Sequence, residues 1–173
     1  LIKNIENENK EGYPAFIVSA GPSLDKNIDM LKEVKGRGMI MAVDTAIKPL
    51  LKKGIVPDIV ASVDPHKPLE LACNLFSLAI MSKFETIVLI GQDLAYPNKK
   101  GHSSASYDSE SNIDIESGKY FKVEDIYGNH VYTEGNMNAY RKWFEATISR
   151  NPSIRFIDAT EGGAKIKGTE IMT

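Results

Sequence analysis

The chain has 173 residues, 42% of them hydrophobic and 25% charged, with a formal net charge of -2 and a single cysteine. Such a composition builds one globular domain with a sizeable core. It excludes a chain held to nucleic acid by a general basic excess, an internal disulfide, and a zinc cluster built on cysteines.

The strongest local signal is the apolar run Ala15-Phe16-Ile17-Val18-Ser19-Ala20, bracketed by Pro14 and Gly21-Pro22. Its lack of alternation predicts a strand buried on both faces of a parallel sheet. Leu24, Ile28, Leu31 and Val34 then recur at helical spacing, up to the stop Gly36-Arg37-Gly38. Met39 to Val43 predicts a second strand ending at Asp44-Thr45, with a helix to Gly54, and Ile59 to Val63 a third strand ending at Asp64. Leu69 to Met81 reads as a helix, and Thr86 to Ile90 as a fourth strand closed by Gly91-Gln92-Asp93. The long polar segment Ala95 to Tyr120 has the length of a binding loop or lid. Phe121 to Asp125 and His130 to Thr133 read as a hairpin around Tyr127-Gly128-Asn129. Asn136 to Ser149 reads as an amphipathic helix with Tyr140, Trp143, Phe144 and Thr147 on one stripe. Ile154 to Ile157 is a last buried strand before Asp158.

Strands alternating with helices predict a doubly wound, mostly parallel α/β sheet. In such a sheet ligands bind at the carboxyl ends of the strands, near the point where strand order reverses. Four polar segments converge there: Gly21 to Leu24, Asp44-Thr45, Asp64, and Gly91-Gln92-Asp93. Free backbone N–H groups where the first helix starts would suit a phosphate, with Gly21 allowing close approach, Pro22 stiffening the turn and Ser23 capping or donating a hydroxyl. An ordinary strand-to-helix turn is the competing reading. Asp44 and Asp64 could hold ribose hydroxyls or Mg²⁺, or cap the helices that follow them. Of three histidines, His102 lies in the polar loop, where an imidazole could take a proton from an attacking hydroxyl; a surface histidine without a role is the commoner case. Tyr96 is placed to meet a ligand. The dinucleotide fingerprint, a Walker A loop, a nucleophile elbow and a zinc-protease motif do not occur.

Taken together, Gly21-Pro22-Ser23-Leu24, Val43-Asp44-Thr45-Ala46, Gly54-Ile55-Val56-Pro57-Asp58 and Asp64 resemble motifs of the motility accessory factor family of flagellated bacteria. So do Ile90-Gly91-Gln92-Asp93-Leu94-Ala95-Tyr96, His102, Trp143-Phe144-Glu145 and Ile157-Asp158-Ala159-Thr160-Glu161-Gly162-Gly163-Ala164. The resemblance implies a Rossmann-like, sialyltransferase-like domain that is the central part of a longer protein. It implies transfer of a nonulosonic acid from a CMP donor to Ser or Thr of flagellin in the cytoplasm. Gly21 to Leu24, Asp44, Thr45, Asp64, Gly91, Gln92, Asp93 and Tyr96 would then form the donor site, with His102 the general base and no metal in the chemical step. Nucleic acid and a membrane span have no part in that reading. Archaeal relatives in the same broad family resemble a 6-hydroxymethyl-dihydropterin diphosphokinase, which would use ATP and Mg²⁺ held by acids such as Asp44, Asp64 or Asp93. A third expectation is a non-catalytic module that binds a sugar nucleotide or flagellin. The stretch between Asp64 and Gly91-Gln92-Asp93 is shorter than the family's usual one.

Overall fold

The computed structural model describes residues 12–62, 68–100, 103–104 and 117–172. Its centre is a sheet of six parallel strands: β1 (Ala15–Val18), β2 (Met39–Val43), β3 (Ile59–Ala61), β4 (Thr86–Ile90), β7 (Arg155–Asp158) and β8 (Glu170–Ile171). Their spatial order is β3-β2-β1-β4-β7-β8. The chain therefore walks outward from β1 to β3, returns to the other side of β1 as β4, and walks out again. The expected α/β, doubly wound, mostly parallel sheet is the fold observed. β5 (Tyr120–Glu124) and β6 (His130–Glu134) pair antiparallel as the expected hairpin, one residue out of step at either end.

The central strands β1, β2 and β4 are largely apolar because both faces are covered. All five residues of β2 are buried, and so are four of five in β4. Helix α4 (Pro68–Met81) packs on β1, β2 and β3 and against α5 (Gly135–Ser149). At that helix pair Phe76 lies edge-on to Phe144, ring centroids 4.9 Å apart, and stacks on Phe156 of β7 at 5.3 Å. Aromatic pairs in these geometries add to the burial term of a core. Trp143 meets Phe76 edge-on at 6.2 Å and stays 37% exposed. Phe144 and Ile148 are the buried residues of α5, and Tyr140, one i,i+4 step before Phe144, is half-buried against the same core.

Three expectations are corrected. The first helix is not continuous: it is α1 (Leu24–Asn27), a 3-10 turn (Ile28–Met30) and α2 (Leu31–Val34). The break falls at Asn27, at φ -120° and ψ 0°, whose side-chain amide donates to Ala159 O at 2.6 Å. A tertiary hydrogen bond outweighs the helical period there. The third strand ends at Ala61 instead of running to Val63, which lies outside the described residues. The last edge strand, β8, was not expected, since it is two exposed residues long. α3 (Asp44–Lys52) and the left-handed Gly54 (φ +73°) match the expected helix and stop.

Candidate functional site

Beyond the carboxyl ends of β1 and β4, where strand order reverses, lies a cavity of about 540 Å³. Sheets of this kind bind ligands at that position. Its floor comes from two loops: Ser19 to Gly21 after β1 and Gly91 to Tyr96 after β4. Val43 and Thr45 bound it on the β2 side and Leu69 and Glu70 at the start of α4, while Glu134, Asn136, Met137 and Tyr140 close it from the hairpin and α5.

The two floor loops are bound to each other. Ser19 N–H donates to Ile90 O and Gly21 N–H to Gly91 O, both at 2.9 Å, and Ser19 Oγ donates to Gln92 Oε1 at 2.5 Å. Ser23 N–H donates to Asp93 Oδ2 at 3.0 Å, and Leu24 N–H to Gly21 O at 3.1 Å. The fit leaves no space for a side chain at position 21: a Cβ there would lie 1.9 Å from Asp93 Oδ2 and 2.5 Å from Gly91 O.

This geometry revises the expected phosphate cradle. The Gly21, Ser23 and Leu24 amides are already engaged inside the protein, and the anion that the turn receives is the Asp93 carboxylate. α1 is also only four residues long, so it has little dipole to offer. Pro22, Ser23, Leu24 and Asp44 do not bound the cavity, whereas Gly21, Thr45, Gly91, Gln92, Asp93 and Tyr96 do. Asp44 folds back on its own helix start, its Oδ1 accepting Thr45 N–H at 2.7 Å. Asp58 is structural: its carboxylate pairs with Lys35 and accepts Ile40 N–H at 2.9 Å. Asp64 and His102 lie outside the described residues. The residue after His102 is tied to the site, since buried Ser103 donates its N–H to Ala20 O at 2.9 Å.

Asp93 is the most constrained group. It is 3% exposed, and burial pushes its carboxyl up to about 7 against the lowering effect of the Ser23 hydrogen bonds, with the Asp158 charge adding to the rise. Asp158, at the end of β7, is pushed up to about 6 by burial, and its Oδ1 accepts Thr160 N–H. The backbone is fixed as tightly: Asp93 O accepts Ala164 N–H at 2.7 Å, and Leu94 O accepts the Thr133 hydroxyl at 2.8 Å. Leu94 itself sits at φ +49°, an uncommon conformation for a side chain branched beyond Cβ and one that concentrates at functional sites.

Sequence reasoning missed Ser19, Glu70, Glu134, Asn136 and Tyr140. No motif marks them; Glu134, Asn136 and Tyr140 reach the cavity only when the hairpin and α5 pack over the sheet, whereas Ser19 and Glu70 come from the loop after β1 and the first turn of α4. That docking rests on Tyr96 N–H donating to Tyr132 O at 2.8 Å and on Tyr96 Oη donating to Glu134 Oε1 at 2.9 Å. The lining carries Glu70, Asp93 and Glu134 and, among the described residues, no Lys, Arg or His. No group of three or more His, Cys, Asp or Glu among the described residues is arranged to hold a metal ion. No helix among them is long and apolar enough to cross a membrane.

Residues 1–75 match a family model described as 6-hydroxymethylpterin diphosphokinase MptE-like. Over 55 residues the chain is 42% identical to 6-hydroxymethyl-7,8-dihydropterin pyrophosphokinase of Methanocaldococcus jannaschii, a match covering 30% of this chain and 23% of that protein. The fold superposes on the structure of the MAf glycosyltransferase from Magnetospirillum magneticum AMB-1 with a TM-score of 0.61 and 19% identity, over 96% of this chain and 34% of that one. The likeness to that solved structure is one of fold. The chain spans about a third of the solved relative and about a quarter of the curated one.

Proposed function

We propose, for a chain whose first 75 residues match an MptE-like family model and whose fold is that seen in a MAf glycosyltransferase, a transferase domain that works within a longer, cytoplasmic protein. It moves a nonulosonic acid of the pseudaminic, legionaminic or sialic type from a CMP donor to Ser or Thr of flagellin. The observation that carries this reading is the cavity at the β1/β4 switch point, bounded by Gly21, Thr45, Gln92, Asp93 and Tyr96.

The chemistry of the walls supports it. A cavity lined by carboxylates and hydroxyls offers acceptors for the N–H groups of an amino-bearing base and for the hydroxyls of a sugar. Charge that builds on the sugar as its bond to phosphate breaks is positive, and the lining carboxylates are of the sign that stabilises it. Asp64 belongs to this proposal as a donor-site residue, and His102 as the sequence's candidate for the general base.

A second reading, pterin diphosphokinase, is favoured by the identity to the Methanocaldococcus protein. It requires ATP and Mg²⁺. Calorimetric titration of the protein with CMP and with ATP, each with and without Mg²⁺, separates the two. Metal-independent CMP binding, weakened at least tenfold by Gln92→Ala, is expected. ATP binding that requires Mg²⁺ would replace the first reading by the second, and CMP binding without transfer in the intact protein would leave a binding module.

A further inference from the structure

We propose that Glu134 is the base that takes the proton of the acceptor hydroxyl, with Tyr96 as the residue that positions it. The inference rests on the reading above, transfer to a hydroxyl group, and goes beyond it by assigning the proton acceptor.

Glu134 stands at the junction of β6 and α5, in the N-cap position, with extended backbone (φ -125°, ψ 168°) and without a side-chain hydrogen bond to its own helix. The short side chains of Ser, Thr, Asp and Asn cap that position; the longer glutamate is not among them. Here it turns into the cavity, where Oε1 accepts the Tyr96 hydroxyl at 2.9 Å. The phenol is itself fixed: its ring lies edge-on to Tyr120 at 5.3 Å, and its backbone N–H is bound to Tyr132 O. Burial and the Glu134 carboxylate both push the Tyr96 hydroxyl above its ordinary range, so it remains a donor at any working pH. A carboxylate oxygen accepts more than one hydrogen bond, so the side chain held by Tyr96 still has lone pairs for a substrate proton.

The other acids of the cavity are less suited. Asp93 is buried, with Oδ2 bound to Ser23 N–H. Glu70 is exposed, in the first turn of α4. In the step itself the acceptor oxygen bonds to the anomeric carbon as its proton passes to Glu134. The bond from that carbon to the donor phosphate oxygen breaks, and its electron pair leaves on CMP. A positioned base of this kind contributes a factor of roughly 10² to 10⁴.

The test uses the intact protein with a CMP-nonulosonate and flagellin. Glu134→Gln is expected to lower kcat by roughly 10²-fold or more with CMP still bound by calorimetry. Tyr96→Phe is expected to lower kcat less, with the donor KM little changed, because the hydrogen bond that steadies the carboxylate is gone. Transfer by Glu134→Gln within threefold of wild type overturns the inference alone. A wild-type protein that neither binds CMP nor transfers sugar overturns the functional reading, and this assignment with it.

Discussion

Asp93 and Gly21 fit together so closely that the floor of the cavity is one residue deep at that point. Adding a methyl group at position 21 drives Cβ to 1.9 Å from a buried carboxylate oxygen and to 2.5 Å from a backbone carbonyl, neither of which has room to yield. Gly21→Ala is expected to cost more than about 3 kcal/mol, or to prevent folding, as read by urea denaturation. Gly21 was legible as a place of close approach; that the approaching group would be Asp93, 72 positions along, was not, because nothing local encodes that pairing. Asp93 also sets a pH dependence. Its native carboxyl titrates near 7, against an ordinary value of 3.8, so between those values the native state holds a proton that the unfolded chain has released. Stability should therefore be greatest below about pH 4 as far as this group is concerned, and fall as pH rises to about 7. Asp158 contributes in the same direction up to about 6. Asp93→Asn keeps an acceptor for Ser23 N–H and is expected to flatten the slope and stabilise the protein at pH 8, on the order of 2 kcal/mol, measured by denaturation at pH 5 and pH 8.

Among the elements, those whose burial is complete were the easiest to find. β1, β2 and β4 announce themselves as unbroken apolar runs, since a parallel strand under helices on both faces has no polar side to show. The broken helix was hidden for the opposite reason: Leu24, Ile28 and Leu31 keep helical spacing and all three are buried, yet Asn27 is pulled out of register by Ala159. The hairpin was legible from its turn, but its docking on Tyr96 and Leu94, which puts Glu134 and Asn136 at the cavity, was not. The joint between α4 and α5 is the mechanical support for that side of the site. Removing its central ring, Phe76→Ala, is expected to cost about 3–5 kcal/mol by urea denaturation, because Phe144 and Phe156 cannot collapse far enough to fill the space. Cys73, on the same helix, is 7% exposed with its thiol pushed up to about 12 by burial. We expect it to be unreactive toward a thiol reagent until the protein unfolds.

At the level of the whole molecule, the order β3-β2-β1-β4-β7-β8 assembles the site from two runs of chain that meet at β1 and β4. A ligand at that seam touches both, so binding should stabilise the entire domain rather than one part. At a CMP concentration a hundred times its dissociation constant the gain would be about 2.7 kcal/mol, seen as a rise in Tm without a second transition. The chain's single tryptophan adds something to this arrangement. Trp143 lies on α5 against Phe76 of α4, one helical turn beyond Tyr140 at the cavity wall. Its indole is thus an intrinsic optical gauge at the seam: a ligand that tilts α5 will shift the emission wavelength, and one that enters a rigid site will leave the spectrum as it was.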